Sequence, residues 1–169
     1  MRKQLCLHEA DRLRQELSIS EPPTNIHRIA AALLIPLRPV APWTWRGRAL
    51  LSTAPLEITY NPKESDRGLR FSIAHEVGHF VLHPHGDVFS IHEDELRHEH
   101  AQDPDKELEN EADYFASVLL VPPAWLKADV ARGLSPDLLA DRYQVSRDVI
   151  FIALKEHRLL NRVKTKRSV

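Results

Sequence analysis

Residues 70–82 read Arg70-Phe71-Ser72-Ile73-Ala74-His75-Glu76-Val77-Gly78-His79-Phe80-Val81-Leu82, followed by His83 and Pro84. Apolar side chains fall on most faces of this segment, and a helix so composed sits in the middle of a domain. Pro84 ends it. Within it, His75-Glu76-Val77-Gly78-His79 has the pattern H-E-x-x-H. Residues four apart on a helix lie about 40° apart around the axis and ~6 Å along it, so two imidazoles so placed can reach one ion. Neutral imidazole suits zinc, at about 2.0–2.1 Å per Zn–N bond. Glu76 projects near such an ion without ligating it, where it can take a proton from water. The pentapeptide alone is weak: with this content of His and Glu, roughly one chain in twenty carries such a match by chance. Its setting strengthens it, because ionisable side chains in the most apolar helix of a chain are costly unless paired or metal-bound.

A catalytic zinc takes a third protein ligand and keeps a fourth position open. Downstream, Glu109-Asn110-Glu111-Ala112-Asp113 places Glu109 and Asp113 four apart, bordering the apolar stripe of Leu108, Ala112, Phe115, Ala116 and Leu119. Glu109 is the expected third ligand. Asp113 is expected behind the site, accepting the free ring N–H of one histidine. The helix macrodipole explains the remaining acids, Asp105, Glu107 and Glu111. Glu111, about 200° from Glu109 on the wheel, is expected to face solvent. Rival ligands are His83, one turn beyond His79, and the histidines of the stretch 83–100 (His83, His85, His92, His98, His100). A three-histidine site is the alternative; the plainer reading makes these solvated loop residues.

Outward from this pair of helices the pattern is mixed. Cys6, Ala10, Leu13 and Leu17 mark one face of an N-terminal helix that Glu21-Pro22-Pro23 ends. Ile26, Ile29, Ala30 and Leu33 mark a second, short one. Leu56, Ile58 and Tyr60 alternate with Glu57 and Thr59 as a half-buried strand, with one or two further strands expected within 34–40 and 43–52. Residues 62–69, polar and with Gly68, read as a loop, and 84–104 as a loop or short helix. After Pro122-Pro123 comes a short helix closed by Gly133. Ser135 then caps a helix with Leu138, Leu139 and Tyr143, and Ser146 caps a last one with Val149, Ile150, Ala153 and Leu154. The expected class is α+β, with a small antiparallel sheet in a core over 1–132 and a helical segment with a basic tail over 133–169.

Composition narrows the function. The 169 residues carry a net charge of −1, which gives no global pull toward DNA or an anionic membrane. Cys6 is the single cysteine, which excludes a disulfide framework and a thiolate zinc cluster. No apolar run approaches the ~20 residues a membrane span needs, and the charged N-terminus lacks the apolar core of a signal peptide. The expected location is cytoplasmic.

The chain resembles the ImmA/IrrE family of bacterial and phage metallopeptidases. The resemblance rests on Arg70–His79, on Glu109-Asn110-Glu111-Ala112-Asp113-Tyr114-Phe115-Ala116, and on Leu119-Leu120-Val121-Pro122, matching in type, order and approximate spacing. Weaker similarity covers Pro22–Leu33, the strand ending at Asn61, and Leu139–Leu154. It implies a zincin-like core that cleaves a helix-turn-helix transcriptional repressor, with His75, His79 and Glu109 as zinc ligands and Glu76 as general base. Asp113 stands where asparagine is common in the family, a change that keeps an acceptor. The segment Leu139–Ile150 itself looks like a helix-turn-helix, with Gln144 at a position where glycine is frequent and with Arg147, Lys155 and Arg158 able to meet phosphates. Packing or protein recognition is the preferred role of this pair, and direct DNA contact the lesser one. The substrate is expected to lie extended along a strand edge by β-addition. The rival class is a non-enzymatic regulator whose metal is structural, fully ligated by a fourth side chain such as His83. Manganese or iron shares the same donor set with zinc, and the oligomeric state is not legible.

Overall fold

The first helix, α1 (Lys3–Glu16), buries Cys6, Ala10 and Leu13, the spacing that its sequence announces. In this computed structural model, residues 1–44, 47–83 and 104–163 are described. The stretch 84–103, with the expected loop and four of its five histidines, lies outside them, as do residues 164–169 of the basic tail. Helix α2 (Ile26–Ala32) starts at Asn25, whose side chain accepts from the Arg28 N–H, and buries Ile26, Ile29 and Ala30.

Three short strands follow: β1 (Leu37–Pro39), β2 (Ala49–Thr53) and β3 (Leu56–Tyr60). The sheet order is β1-β3-β2. Strands β2 and β3 form the expected antiparallel pair, with Leu51 opposite Ile58. Strand β1 runs parallel to β3, with Leu37 also opposite Ile58. The sheet is therefore mixed, not antiparallel. The chain leaves β1, crosses to the far edge and reverses once between β2 and β3, which returns β3 to the direction of β1. Strand β2 is left as an edge.

Helix α3 (Asp66–Leu82) begins earlier than its sequence suggests. Ser65 accepts from the Gly68 N–H at 3.3 Å, so half of the polar stretch 62–69 is cap and first turn. Polarity there marks a helix start, where side-chain oxygens satisfy orphan N–H groups. Ile73, Ala74, Val77 and Leu82 are buried, and so are Glu76 and His79.

Helix α4 (Pro104–Leu120) packs against both α3 and α1. Ala112, Phe115, Ala116 and Leu119 are fully buried. Its C-terminal carbonyls are closed by side chains from elsewhere. Arg14, 4 % exposed, donates to the carbonyls of Val118 and Leu119 at 2.9 and 3.0 Å, and the Thr24 hydroxyl donates to Leu119 O at 2.9 Å. These bonds supply the acceptors' missing partners at a buried helix end.

The C-terminal third is helical: α5 (Pro123–Ala131), α6 (Pro136–Tyr143), α7 (Arg147–Glu156) and a 3-10 turn (Leu160–Arg162). Gly133, at φ +83°, closes α5 as expected. Ser135 and Ser146 cap α6 and α7 through the N–H groups of Leu138 and Val149. Between them Gln144 takes the left-handed conformation at φ +54°, and its side-chain amide donates to Asp141 O at 2.6 Å. The turn is tied to α3: Arg67 pairs with Asp141 at 2.6 Å, and Arg70 donates to Gln144 O at 3.1 Å. On its other side, buried Asp129 accepts from Tyr143 Oη and Arg142 Nε, both at 2.9 Å. No described helix is long and apolar enough to cross a membrane.

Candidate metal centre

The crossing of α3 and α4 builds the site. Gly78 sits at a close contact of the two helices: a Cβ there would lie 3.0 Å from the Phe115 ring and 3.2 Å from the backbone of Ala112. A glycine inside an apolar helix costs roughly 1 kcal/mol against alanine, and here its lack of a side chain lets α4 settle against α3. That approach carries Glu109, one turn before Ala112, to the two histidines.

His75, His79 and Glu109 converge. The two Nε2 atoms stand 2.9 Å apart. Glu109 straddles them, with Oε2 3.2 Å from His75 Nε2 and Oε1 3.1 Å from His79 Nε2. Tetrahedral ligand atoms at zinc distances of 2.0–2.1 Å are about 3.3 Å apart, so these three groups are spaced as ligands are. They also need something between them. Glu109 Oε1 is buried and accepts no well-formed hydrogen bond. Two imidazole Nε2 atoms facing each other can share at most one proton, whereas a cation satisfies both lone pairs and the carboxylate together. Among the described residues this is the group of His, Cys, Asp and Glu side chains able to hold a metal ion.

The surrounding residues orient the three. Asp113 Oδ1 lies 2.9 Å from His75 Nδ1, with its side chain exposed and reaching the ring from the solvent side. Glu76 is 3 % exposed and accepts the Leu51 N–H on Oε2 at 3.0 Å. That N–H belongs to β2, and its use here shows that Leu51 turns its backbone groups away from β3, toward the edge beside the site. Neither Gly78 nor the Leu51 N–H emerges from the sequence pattern; a glycine isolated in an apolar helix was the available signal for the first.

Two expectations are corrected. Glu111 does not face solvent: it is 2 % exposed and accepts from Arg2 Nη2 at 2.7 Å and from the Arg2 backbone N–H at 2.6 Å. The face of α4 that carries Glu111 packs against α1, so it is interior as well. His83 is neither a solvated loop residue nor placed as a ligand. Its Nδ1 stands 3.3 Å from Nδ1 of His79, on the side of the ring away from Glu109, and its Nε2 lies 3.1 Å from Glu111 Oε2.

Electrostatics in the metal-free chain follow from these contacts. Burial alone would lower the His75 pKa, but the hydrogen bonds with Asp113 and Glu109 outweigh it and raise it to about 10. Burial lowers that of His79. Burial would raise Glu109, yet the two histidines hold its carboxyl well below the usual range. Glu76 is pushed up to about 7, chiefly by burial, against the pull of His75 and of the Leu51 N–H. A carboxyl poised there can both take up and release a proton near neutral pH.

A groove of about 870 Å³ opens beside Asp113, between the start of α3, the middle of α4 and the α6–α7 pair. Phe71, Tyr114, Val149 and Ile152 give it apolar surface; Arg48, Arg67, Asp148 and Glu156 give it charge of both signs.

Comparison with known proteins agrees with this architecture. A solved structure of a Mycobacterium tuberculosis transcriptional regulator shares the fold, with a TM-score of 0.63 at 16% identity over 90% of this chain and 45% of that one. This chain thus spans less than half the length of that regulator. No curated protein matches the sequence. The model of the peptidase M78 family, described as the IrrE N-terminal-like domain, matches residues 38–155. With most of the chain matched and a group fit for a metal where α3 meets α4, the protein belongs to the IrrE-like M78 family of metallopeptidases.

Proposed function

We propose that the protein is a zinc-dependent endopeptidase that hydrolyses a peptide bond in a partner protein, a helix-turn-helix transcriptional repressor, and so relieves repression. The observation that carries the reading is the convergence of His75, His79 and Glu109 beside a buried Glu76. His75, His79 and Glu109 would hold the ion, leaving a position open for water and substrate. Bound there, zinc supplies Lewis acidity toward an amide carbonyl and toward water. Glu76, its Oε2 fixed by the Leu51 N–H, takes a proton from the attacking water on Oε1. As the C–N bond breaks, the same carboxyl returns that proton to the leaving amine. Asp113 holds His75 with Nδ1 protonated and Nε2 free as a ligand.

The edge of β2 away from β3, where Leu51 N–H is already given to Glu76, supports an extended substrate at its other outward groups. Backbone groups alternate sides along a strand, so Ala49 and Thr53 turn theirs the same way as Leu51, outward beside Glu76. A peptide pairing there by β-addition passes over the metal group.

The C-terminal unit over 133–169 is proposed as a recognition element for the protein partner, set beside a peptidase core over 1–132. Protein recognition is favoured over DNA because part of the basic charge is already spent within the chain. In α6 and α7 Arg142 is engaged by Asp129 and Arg147 by Asp137, and the turn is fastened to α3 through Arg67 and Arg70. A regulatory role is supported by the family resemblance and by the likeness in fold to a transcriptional regulator. The test compares wild type with Glu76→Gln, measuring bound zinc and cleavage of a co-expressed candidate repressor. Zinc should be retained and cleavage should fall by about 10²–10⁴-fold. Undiminished cleavage would remove Glu76 from the mechanism, and absence of bound zinc in wild type would remove the metal centre.

A further inference from the structure

Both candidate ligand histidines present Nε2 to Glu109. A neutral imidazole that ligates through Nε2 carries its proton on Nδ1, and that N–H needs an acceptor to fix the ring. His75 has Asp113 in that place. What stands 3.3 Å from Nδ1 of His79 is Nδ1 of His83.

The chain of contacts beyond it has one consistent proton order. With His79 donating from Nδ1, His83 must accept on Nδ1, and its own proton is then on Nε2. That nitrogen lies 3.1 Å from Glu111 Oε2, an acceptor. Glu111 in turn accepts from Arg2 Nη2, Arg2 Nε and the Arg2 backbone N–H, at 2.7, 3.1 and 2.6 Å. Every donor in this sequence meets an acceptor. The side chains of His83 and Glu111 are only 5 % and 2 % exposed, so water does not readily substitute for a lost partner.

We infer that His83 and Glu111 are positioning residues for the metal centre: a relay from His79 through His83 and Glu111 to Arg2 fixes the His79 ring with Nε2 unprotonated, as a ligand atom. The inference rests on His75, His79 and Glu109 holding the metal. It gives α1, through Arg2, a direct part in shaping the site, and it places His83 behind a ligand. The two faces of α4 then serve the two histidines separately: Asp113 backs His75, and Glu111, through His83, backs His79.

The test uses the full chain, reconstituted with zinc, and needs no substrate. Zinc affinity is measured by competition with a chelator for wild type, His83→Ala, His83→Asn and Leu82→Ala. Leu82 is a buried neighbour of His83 whose side chain takes no part in the relay; its carbonyl, which accepts from Arg2 Nη2 at 3.5 Å, is kept in the variant. Histidine-labelled ¹⁵N NMR of zinc-loaded wild type reports the proton on each ring nitrogen and any coupling across the N–H···N bond. His79 should carry its proton on Nδ1, coupled to Nδ1 of His83. Affinity should fall by about 10–100-fold in His83→Ala. The Asn carbonyl, which stands where Nδ1 stands, should restore most of it, and Leu82→Ala should keep wild-type affinity. Wild type that binds no zinc overturns the metal centre and the relay together. Zinc binding by wild type without the His79–His83 coupling overturns the relay alone, even if His83→Ala fails to fold. Equal losses in His83→Ala and Leu82→Ala would reduce His83 to packing and likewise overturn it.

Discussion

Replacing Gly78 by alanine tests whether the site depends on the close approach of two helices. The added Cβ would meet the Phe115 ring at 3.0 Å and the Ala112 backbone at 3.2 and 3.3 Å. Ordinary contact begins near 3.5 Å, so α4 must withdraw by a few tenths of an ångström. The aromatic ring can turn, but the backbone of Ala112 cannot yield without moving the helix. Overpacking of this kind costs about 1–3 kcal/mol, while alanine returns about 1 kcal/mol of helix propensity. The expected net loss in the metal-free protein is about 1 kcal/mol, read as a fall in Tm of roughly 2–4 °C. Zinc affinity should suffer separately, because Glu109 is carried by the displaced turn. A tenfold loss corresponds to about 1.4 kcal/mol and is the expected scale in chelator competition. Adding Phe115→Leu should recover only part of either loss, since the Ala112 contact remains. A variant that is more stable than wild type and binds zinc equally well would refute the close-approach argument.

Two further outcomes concern the frame around the site. Tyr143→Phe removes one hydrogen bond from the buried Asp129 carboxylate while Arg142 stays; it should cost about 1–2 kcal/mol in urea unfolding, and an unchanged midpoint would show that the tie between α5 and α6 is dispensable. Burial, helped by nearby Glu111, pushes the Cys6 thiol up to about 11 from an ordinary 9.0. The unfolded chain then gives up this proton first, so stability from this group is lost as pH rises from about 9 to 11. Unfolding of wild type and Cys6→Ala compared across that window should show the wild type losing up to about 3 kcal/mol relative to the variant; parallel pH curves would contradict it.

What the sequence could and could not convey follows from how local each signal is. The caps at Ser135 and Ser146, the left-handed Gly133 and the apolar stripes of α1 and α2 depend on neighbours within a turn or two, and they appear where the pattern puts them, except that α1 ends at Glu16 and α2 at Ala32, which leaves Leu17 and Leu33 just past the helix ends. His75 and His79 share a helix, so their geometry is local as well. Pairing Glu109 with them demanded a second helix whose orientation no periodicity specifies; the acids bordering an apolar face, and the family resemblance, supplied it. The direction of β1 was not legible, because a three-residue strand pairs according to where the chain re-enters the sheet.

Glu111 is the side chain whose burial has the most consequence. A helical wheel assigns one face inward and the opposite face to water, which holds for a helix at the surface of a two-layer fold. Helix α4 lies between α3 and α1, and on such a helix a carboxylate on either side must find a partner. Glu109 finds His75 and His79, and Glu111 finds Arg2 and His83, which hold its pKa at about 2 against burial. Arg2 is 109 residues away in sequence, too far for any local pattern to show. Yet the cost of an unpaired buried charge, several kcal/mol, is what makes the pairing obligatory once α4 is interior. The same rule that singles out His75 and His79, that ionisable groups in apolar surroundings have partners, applies to Glu111 once its face is known to pack on α1. Applied there, it leads from Glu111 to His83 and on to the Nδ1 side of the His79 ring.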